Sequence, residues 1–348
     1  MFRSLGKRVR RPFAVSVLAV GLSLGVFGAA AADAVSDFYK NRTVEVYIGT
    51  NPGGGYDLYG RLVARHIGNH LPGNPSVIAK NMPGAGHLKM VNWLFNAAPR
   101  EGTAIAVAPQ AIAIEQGLGS DGIQYDARQF VWIGRVAPIV EVTFTWHTSP
   151  TKTLADARQR ETIMAGSGPT SPTVFYLKLL NALAGTKFKI IPSYSGTAEV
   201  QLGIERGEVE GGSKSWESMK VDNADWLRDK KVNILLQYAA ERAPELPDVP
   251  LLAELGTTEA DRAALRIYAL GNELGRSIMT TPGVPSERAA ALRQAFLQAM
   301  QSPALGAEVK KLRIEVGPLP GDKVAKLIDD TLATPPQIFA RARDARGY

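Results

Sequence analysis

The stretch Val44-Glu45-Val46-Tyr47-Ile48-Gly49-Thr50-Asn51-Pro52-Gly53-Gly54-Gly55-Tyr56-Asp57-Leu58 decides the fold. Val44 to Ile48 is short, apolar and rich in β-branched residues, which predicts a strand. Thr50 to Gly55 breaks any regular pattern, because Pro and consecutive Gly punctuate a chain. Beyond the break, Leu58, Leu62, Val63 and Ile67 recur on one face at helical spacing. Strand, glycine loop, helix is the opening of an α/β unit.

The same order recurs downstream. Ser76 to Ile78 reads as a strand, Met82-Pro83-Gly84-Ala85-Gly86 as a loop, Leu88 to Ala97 as a helix and Ala104 to Ala108 as a strand. Thr162 to Ala165 leads through Gly166 to Thr173 into a helix from Val174 to Ala184. Phe188 to Ile191 leads through Ser193-Tyr194-Ser195-Gly196-Thr197 into a helix reaching Arg206. Asn233 to Gln237 is a further strand, and Ser286 to Gln301 and Gly321 to Thr331 are amphipathic helices. Such alternation predicts parallel sheets with crossover helices, and 348 residues accommodate two domains.

Composition narrows the chemistry. The chain has no Cys, which excludes a disulfide framework, a thiolate metal site, a cysteine nucleophile and an iron–sulfur cluster. Its net charge of +7 is concentrated at the start, where Arg3, Lys7, Arg8, Arg10 and Arg11 fall within eleven residues. The remainder carries 35 basic against 33 acidic residues, with no nucleic-acid footprint. Residues 1–12 form a basic region, Phe13 to Phe27 an apolar run and Ala29 to Ala34 a small-residue stretch, which together read as an export signal over 1–32. Ala30-Ala31-Ala32 and Ala32-Asp33-Ala34 both fit the cleavage pattern. The alternative is an uncleaved anchor, since Phe13 to Ala32 approaches bilayer length, but its Ala-rich end suits a peptidase better than lipid. With no Cys after the apolar run a lipid anchor is excluded, so the mature chain is expected in a periplasm.

Four loops rich in Gly, Ser and Thr each precede a helix. Helix amino termini present unpaired N–H groups and partial positive charge, and Gly lets an anion approach them. Any one loop can be a plain strand-to-helix turn, but four at the carboxyl ends of strands can converge on one ligand. Enzyme signatures fail by comparison. Gly53-Gly54-Gly55 lacks the third glycine of a dinucleotide loop, Gly212-Ser213-Lys214-Ser215 lacks the order of a phosphate loop, and no elbow motif supports Ser167 or Ser195 as a nucleophile. His66 and His70 stand four apart on the first helix, but without the Glu of a zinc motif they read as a solvated face, and no metal or cofactor is expected. His87 can donate to an anion or sit beside a helix cap.

Beyond the signal, the chain resembles the extracytoplasmic solute-binding receptors of tripartite tricarboxylate transporters, the Bug or TctC-like family. The resemblance rests on Pro52 to Asp57 with Arg61 to Ala64, Asn81 to Gly86, Ala98 to Thr103, Tyr125-Asp126 with Phe130, and the loop from Gly166 to Thr173. It continues through Tyr194 to Ala198, Gly207 to Gly212, Glu245 to Pro250 and Thr281 to Pro285, in the family's order. It implies an α/β, two-domain periplasmic-binding-protein fold of the Venus-flytrap, type II-like kind with the ligand cleft between domains. Residues 35–137 and 278–348 would form the first domain and 138–277 the second, with hinges near Arg135 to Pro138 and Ile278 to Pro282.

The resemblance further implies a non-enzymatic, monomeric receptor that captures a small organic carboxylate and delivers it to the membrane permease. A receptor signalling to a sensor kinase and an exported enzyme are the alternatives. Family practice holds the carboxylate by backbone N–H groups, hydroxyls and waters, and none of the four loops contains Arg. Gly53, Gly54, Gly55 and Tyr56 would present donors, with Asp57 ordering the helix start. Gly84, Ala85 and Gly86 would form a second wall. Ser167, Thr170, Ser171 and Thr173, facing Ser195, Gly196 and Thr197, would close from the other domain. The chain departs from the family pattern at Tyr56, at Pro109-Gln110, at Ser213-Lys214-Ser215-Trp216 and over Leu270 to Ser277. Lys214 can pair with a second carboxylate and Trp216 stack on the ligand, or they can be a surface lysine and a core tryptophan.

Overall fold

The computed structural model describes Met1 and residues 34–166, 172–194, 197–239 and 241–347; the export signal expected over 1–32 lies, Met1 apart, outside them. Residues 34–39 are helical (α1). The chain then runs through β1 (Thr43–Ile48), α2 (Gly54–Ile67), β2 (Ser76–Asn81), α3 (Leu88–Asn96), β3 (Ala104–Val107), α4 (Ile112–Leu118) and β4 (Val131–Arg135). A second run comprises β5 (Glu141–Trp146), α5 (Leu154–Gln159), β6 (Thr162–Ala165), α6 (Pro172–Ala184), β7 (Phe188–Ile191), α7 (Thr197–Glu205), β8 (Gly211–Ser215), α8 (Trp216–Asp222), α9 (Ala224–Arg228), β9 (Val232–Tyr238) and α10 (Glu259–Leu274). The chain returns with β10 (Ser277–Thr280), α11 (Ser286–Gln301), α12 (Pro303–Leu312), β11 (Leu319–Pro320), α13 (Gly321–Leu332) and α14 (Pro336–Arg346). Among the described residues no helix is long and apolar enough to cross a membrane.

These strands build two sheets, ordered β11-β4-β10-β3-β1-β2 and β7-β6-β8-β5-β9. They are mixed, which corrects the expectation of parallel sheets: β10 runs antiparallel to β3 and β4, and β5 antiparallel to β8 and β9. The cause is the chain path. β5 and β10 are the strands by which the chain enters each sheet after crossing from the other, and each inserts between strands running the opposite way. Leaving β11 aside, the two sheets therefore share one order, with the inserted strand second from an edge.

β1 is apolar along its length because helices cover both faces of its sheet. Val44, Val46 and Ile48 pack with Leu62 and Val63 of α2 and Phe296 of α11, while Tyr47 faces the opposite cluster with Val91 of α3 and Ile328 of α13. A third cluster joins the lobes, bringing Ile114 and Leu118 of α4 and Phe339 of α14 together with Leu177 of α6, Leu236 of β9 and Tyr268 of α10. Burying these side chains contributes about 1.5 to 3 kcal/mol each.

The two crossings lie side by side. Val136 and Arg276 exchange backbone bonds with neighbours on the opposite crossing: Arg276 N–H donates to Ala137 O at 2.8 Å and Val136 N–H to Arg276 O at 2.9 Å. Ile139 N–H reaches Asn272 O at 3.0 Å. The expected second hinge at Ile278 to Pro282 is thereby corrected to Gly275-Arg276, since Ser277 to Thr280 is already strand β10 of the first sheet. Only glycine suits position 275: its φ is +48° and a Cβ would lie 2.1 Å from Ala137 O. Gly275→Ala should cost about 2 to 3 kcal/mol of unfolding free energy, measured by denaturant titration; an unchanged midpoint would show that the crossings tolerate displacement.

Candidate functional site

The loop after β1 is ordered by Asp57. Its carboxylate accepts from Gly53 N–H at 2.9 Å, Arg61 Nε at 2.9 Å and Asn81 Nδ2 at 2.9 Å. Burial opposes ionisation here, but the Arg61, Gly53 and Asn81 donors prevail and hold the carboxyl below its usual range. Gly53 and Gly54 take φ of +91° and +76°, and α2 follows with its first N–H groups unpaired by any side-chain cap.

A cavity of about 280 Å³ separates this helix start from the start of α8 across the cleft. Gly53, Gly54, Gly55, Asp57, Tyr59, Arg61 and Arg65 line one wall, Ser215, Glu217, Ser218, Val221 and Asp222 the other, and Arg276 joins them. Arg276 is 6% exposed, with its guanidinium 4.2 Å above the Tyr56 ring and 5.8 Å from Tyr59. Its Nε has no hydrogen-bond partner and, among the described residues, it enters no ion pair. Gly55 makes room for it, because a Cβ there would sit 2.4 Å from a guanidinium nitrogen. A buried cation beside a positive helix terminus is electrostatically costly unless an anion joins them.

Beneath this floor runs a polar chain linking the sheets. Gln110 N–H donates to Tyr56 Oη at 3.1 Å, and Gln110 Nε2 donates to Tyr176 Oη and Asn272 Oδ1, both at 3.0 Å. Asn272 Nδ2 donates to Tyr238 O, and Thr143 Oγ1 bonds Tyr238 Oη at 2.7 Å and Ser213 Oγ at 2.9 Å. Burial raises the Tyr56, Tyr176 and Tyr238 phenols, so all are neutral donors at pH 7. Burial pushes the Glu141 carboxyl up to about 8, with Arg276 and Lys214 drawing it down and Glu217 adding to the rise. Burial also raises Glu217, against backbone N–H donation from Glu217 itself and from Val140 and the pull of Arg276 and Lys220.

The expected residues separate in space. Gly53, Gly54 and Gly55 line the cavity, and Tyr56 lies under Arg276. Gly84, Ala85 and Gly86 are exposed and outside the lining; His87 instead reaches the first loop, its ring 4.5 Å from Tyr56. Burial and the Arg276 charge push that imidazole down to about 4, so it is neutral, with Nδ1 buried and unpartnered. Thr173 is half-buried in the first turn of α6 and outside the lining. Ser167, Thr170, Ser171, Ser195 and Gly196 lie outside the described residues, as does the side chain of Thr197.

Trp216 is a core side chain, 8% exposed and donating from Nε1 to Glu245 at 2.6 Å. Its ring packs in the cluster of Phe144 and Trp226 rather than facing the cavity. Lys214 is neither at the surface nor free: it bonds Asp222 at 3.0 Å and Asn223 at 2.6 Å. His66 is no solvated face residue; Glu308 of α12 covers it at 2.6 Å, leaving the residue 8% exposed. Arg276, Glu217 and Glu141 carry no motif and were not singled out by sequence, although Arg276 lies in the segment that departs from the family pattern.

Two α/β sheets of like order with a polar cleft at their strand ends define a two-lobed binding protein. Residues 60–342 match the model of the tripartite tricarboxylate transporter family receptor, and the chain belongs to that family of solute-binding receptors. Its fold is that of a TctC solute-binding protein from Polaromonas, 20% identical with TM-score 0.63 over 87% of this chain and 99% of that one. It is likewise similar to a Rhodopseudomonas palustris protein with bound malate, 21% identical, TM-score 0.61, covering 88% and 99% of the two chains. An R. palustris protein with adipate matches at 19% identity, TM-score 0.63, over 86% and 97%. A comparison with curated protein sequences gives no match.

Glu141 makes stability pH-dependent. Its folded-state value near 8 exceeds the unfolded value of 4.5, so its contribution is complete below pH 4.5 and is lost as pH rises to 8. The slope approaches about 1.4 kcal/mol per pH unit. Glu141→Gln should flatten the fall in melting temperature between pH 5 and pH 8; an unaltered profile would mean the carboxyl ionises without cost.

Proposed function

We propose that this chain is a periplasmic receptor that captures a small organic carboxylate in the cleft between its lobes and delivers it to a tripartite tricarboxylate-type permease. The observation that carries the reading is the guanidinium of Arg276, buried in the cavity lining beside the amino terminus of α2 with its Nε unpartnered and with no ion pair among the described residues. An incoming carboxylate relieves two costs together, the desolvated cation and the unpaired N–H groups of the helix start, through charge-assisted hydrogen bonds. The malate- and adipate-bound relatives of like fold support a carboxylate as the ligand class.

The N–H groups of Gly54 and Gly55 are assigned to the carboxylate, with Gly53 lining the cavity while its own N–H is held by Asp57, and the loops at 167–171 and 195–197, which follow β6 and β7 as the glycine loop follows β1, are assigned to the ligand's other end. The lobes are taken as 35–137 with 277–348, and 138–274, joined through the crossing at Gly275-Arg276; they close as one receptor unit and present a changed surface to the permease.

A melting-temperature screen against malate, adipate and succinate tests the reading, since a ligand that binds only the folded state raises the transition. We expect a rise with at least one acid and its loss in Arg276→Gln. Gly54→Val should also abolish it, because it places a β-branched residue at φ +76° on the cavity wall. No response to any carboxylate by the unaltered protein would sink the reading, and retained binding in Gly54→Val would remove the first loop from the site.

A further inference from the structure

Among the described residues, six charged side chains line the cavity: Asp57, Arg61, Arg65, Glu217, Asp222 and Arg276. Four are already neutralised, Arg61 by Asp57 at 2.9 Å, Arg65 by Glu308 at 2.5 Å and Asp222 by Lys214 at 3.0 Å. The remaining two, Arg276 at the crossing beside α2 and Glu217 at the start of α8, enter no ion pair among the described residues, although the Arg276 charge attracts the Glu217 carboxyl. Lys220, the cation next along α8, is held by Glu245 at 2.9 Å and by Glu315 at 2.5 Å, so it does not cancel Glu217. The α8 wall otherwise offers the hydroxyls of Ser215 and Ser218, of which Ser215 caps its helix and donates to Ser218.

We infer that the ligand is a zwitterion, a carboxylate that also bears an ammonium group, with the carboxylate on Arg276 and the ammonium on Glu217. This rests on the carboxylate reading above and narrows it. A dicarboxylate would bring its second negative charge to the α8 wall, where, among the described residues, Glu217 is the acid outside any ion pair, so like charges repel and each lining cation other than Arg276 is already paired. A zwitterion neutralises both groups and leaves no buried charge unpaired. Burial disfavours the Glu217 carboxylate, which is the cost an ammonium would remove.

The test is isothermal titration of the full mature protein with alanine, aspartate and γ-aminobutyrate against succinate, malate and adipate. The inference expects one amino acid to bind at least about tenfold more tightly than every dicarboxylate lacking an amino group. Glu217→Gln should weaken that amino acid by about tenfold or more and improve succinate or malate, because it removes the repulsion while keeping the shape. Gly55→Ala, which displaces the guanidinium without removing its charge, should weaken all acids together; unliganded melting temperatures report whether each variant folds. Tighter binding of a dicarboxylate by the unaltered protein overturns the zwitterion and leaves the carboxylate receptor standing. Equal affinity of Glu217→Gln for the amino acid overturns it as well, and no binding by any acid overturns both.

Discussion

The cleft depends on the place where the chain crosses between its sheets twice and bonds to itself. Val136 to Ile139 on the way out and Asn272 to Arg276 on the way back share backbone hydrogen bonds, so neither crossing can shift alone. Gly275 permits this approach by having no Cβ to meet Ala137 O. The next residue is Arg276, and its position is therefore set by the hinge backbone rather than by a flexible loop. Its side chain then stacks on Tyr56, and Gly55 leaves the space for the guanidinium against α2. A single charged group is thus tied to both lobes at their shared pivot.

Around that pivot the lobes are joined by two kinds of contact with different consequences. The apolar cluster of α4, α6, α10 and α14 is non-directional and survives small rotations, since methyl groups can slide while remaining dry. The polar chain from Tyr56 through Gln110 and Asn272 to Tyr238 is directional, and each member loses a specific partner if the lobes turn. Gln110 occupies a position where family pattern gave no guide, and in this chain it is the link between the first loop and the second lobe. Rotation about the crossings is consequently coupled to the ring of Tyr56, on which Arg276 rests.

The sequence yields some elements to the residue and conceals others for physical reasons. β6, β7 and α11 have the boundaries read from their β-branched runs and their helical stripe. β8 escaped because Gly-Gly-Ser-Lys-Ser has no strand propensity; it is a strand because neighbours on both sides pair with it and Gly211 lets Phe144 O come close. β5 and β10 were missed with the crossings that place them, which no local pattern encodes. The glycine loop was legible because Gly and Pro mark special backbone geometry in one dimension. Arg276 was not, because a lone arginine after a helix end looks like any surface cation until the crossings bury it. His66 and Lys214 were misread for the same reason, as the acids that cover them, Glu308 and Asp222, become neighbours only in the folded chain.

A charge-bearing pivot changes what limits specificity relative to a site built of backbone donors alone. Backbone N–H groups attract an anion with partial charges and tolerate a second anionic end if solvent reaches it. On the reading proposed above, a full positive charge on the pivot would bind one carboxylate more strongly but leave the rest of the ligand to face α8, whose wall carries Glu217 and the already paired Asp222. Glu141, held protonated by burial at neutral pH, does not discharge Arg276. Among the described residues the cleft thus holds Arg276 at the crossing and Glu217 on the α8 wall, each outside any ion pair. Closing the cleft around a ligand of matching polarity gains on both sides, whereas closing it around a dianion gains on one and loses on the other.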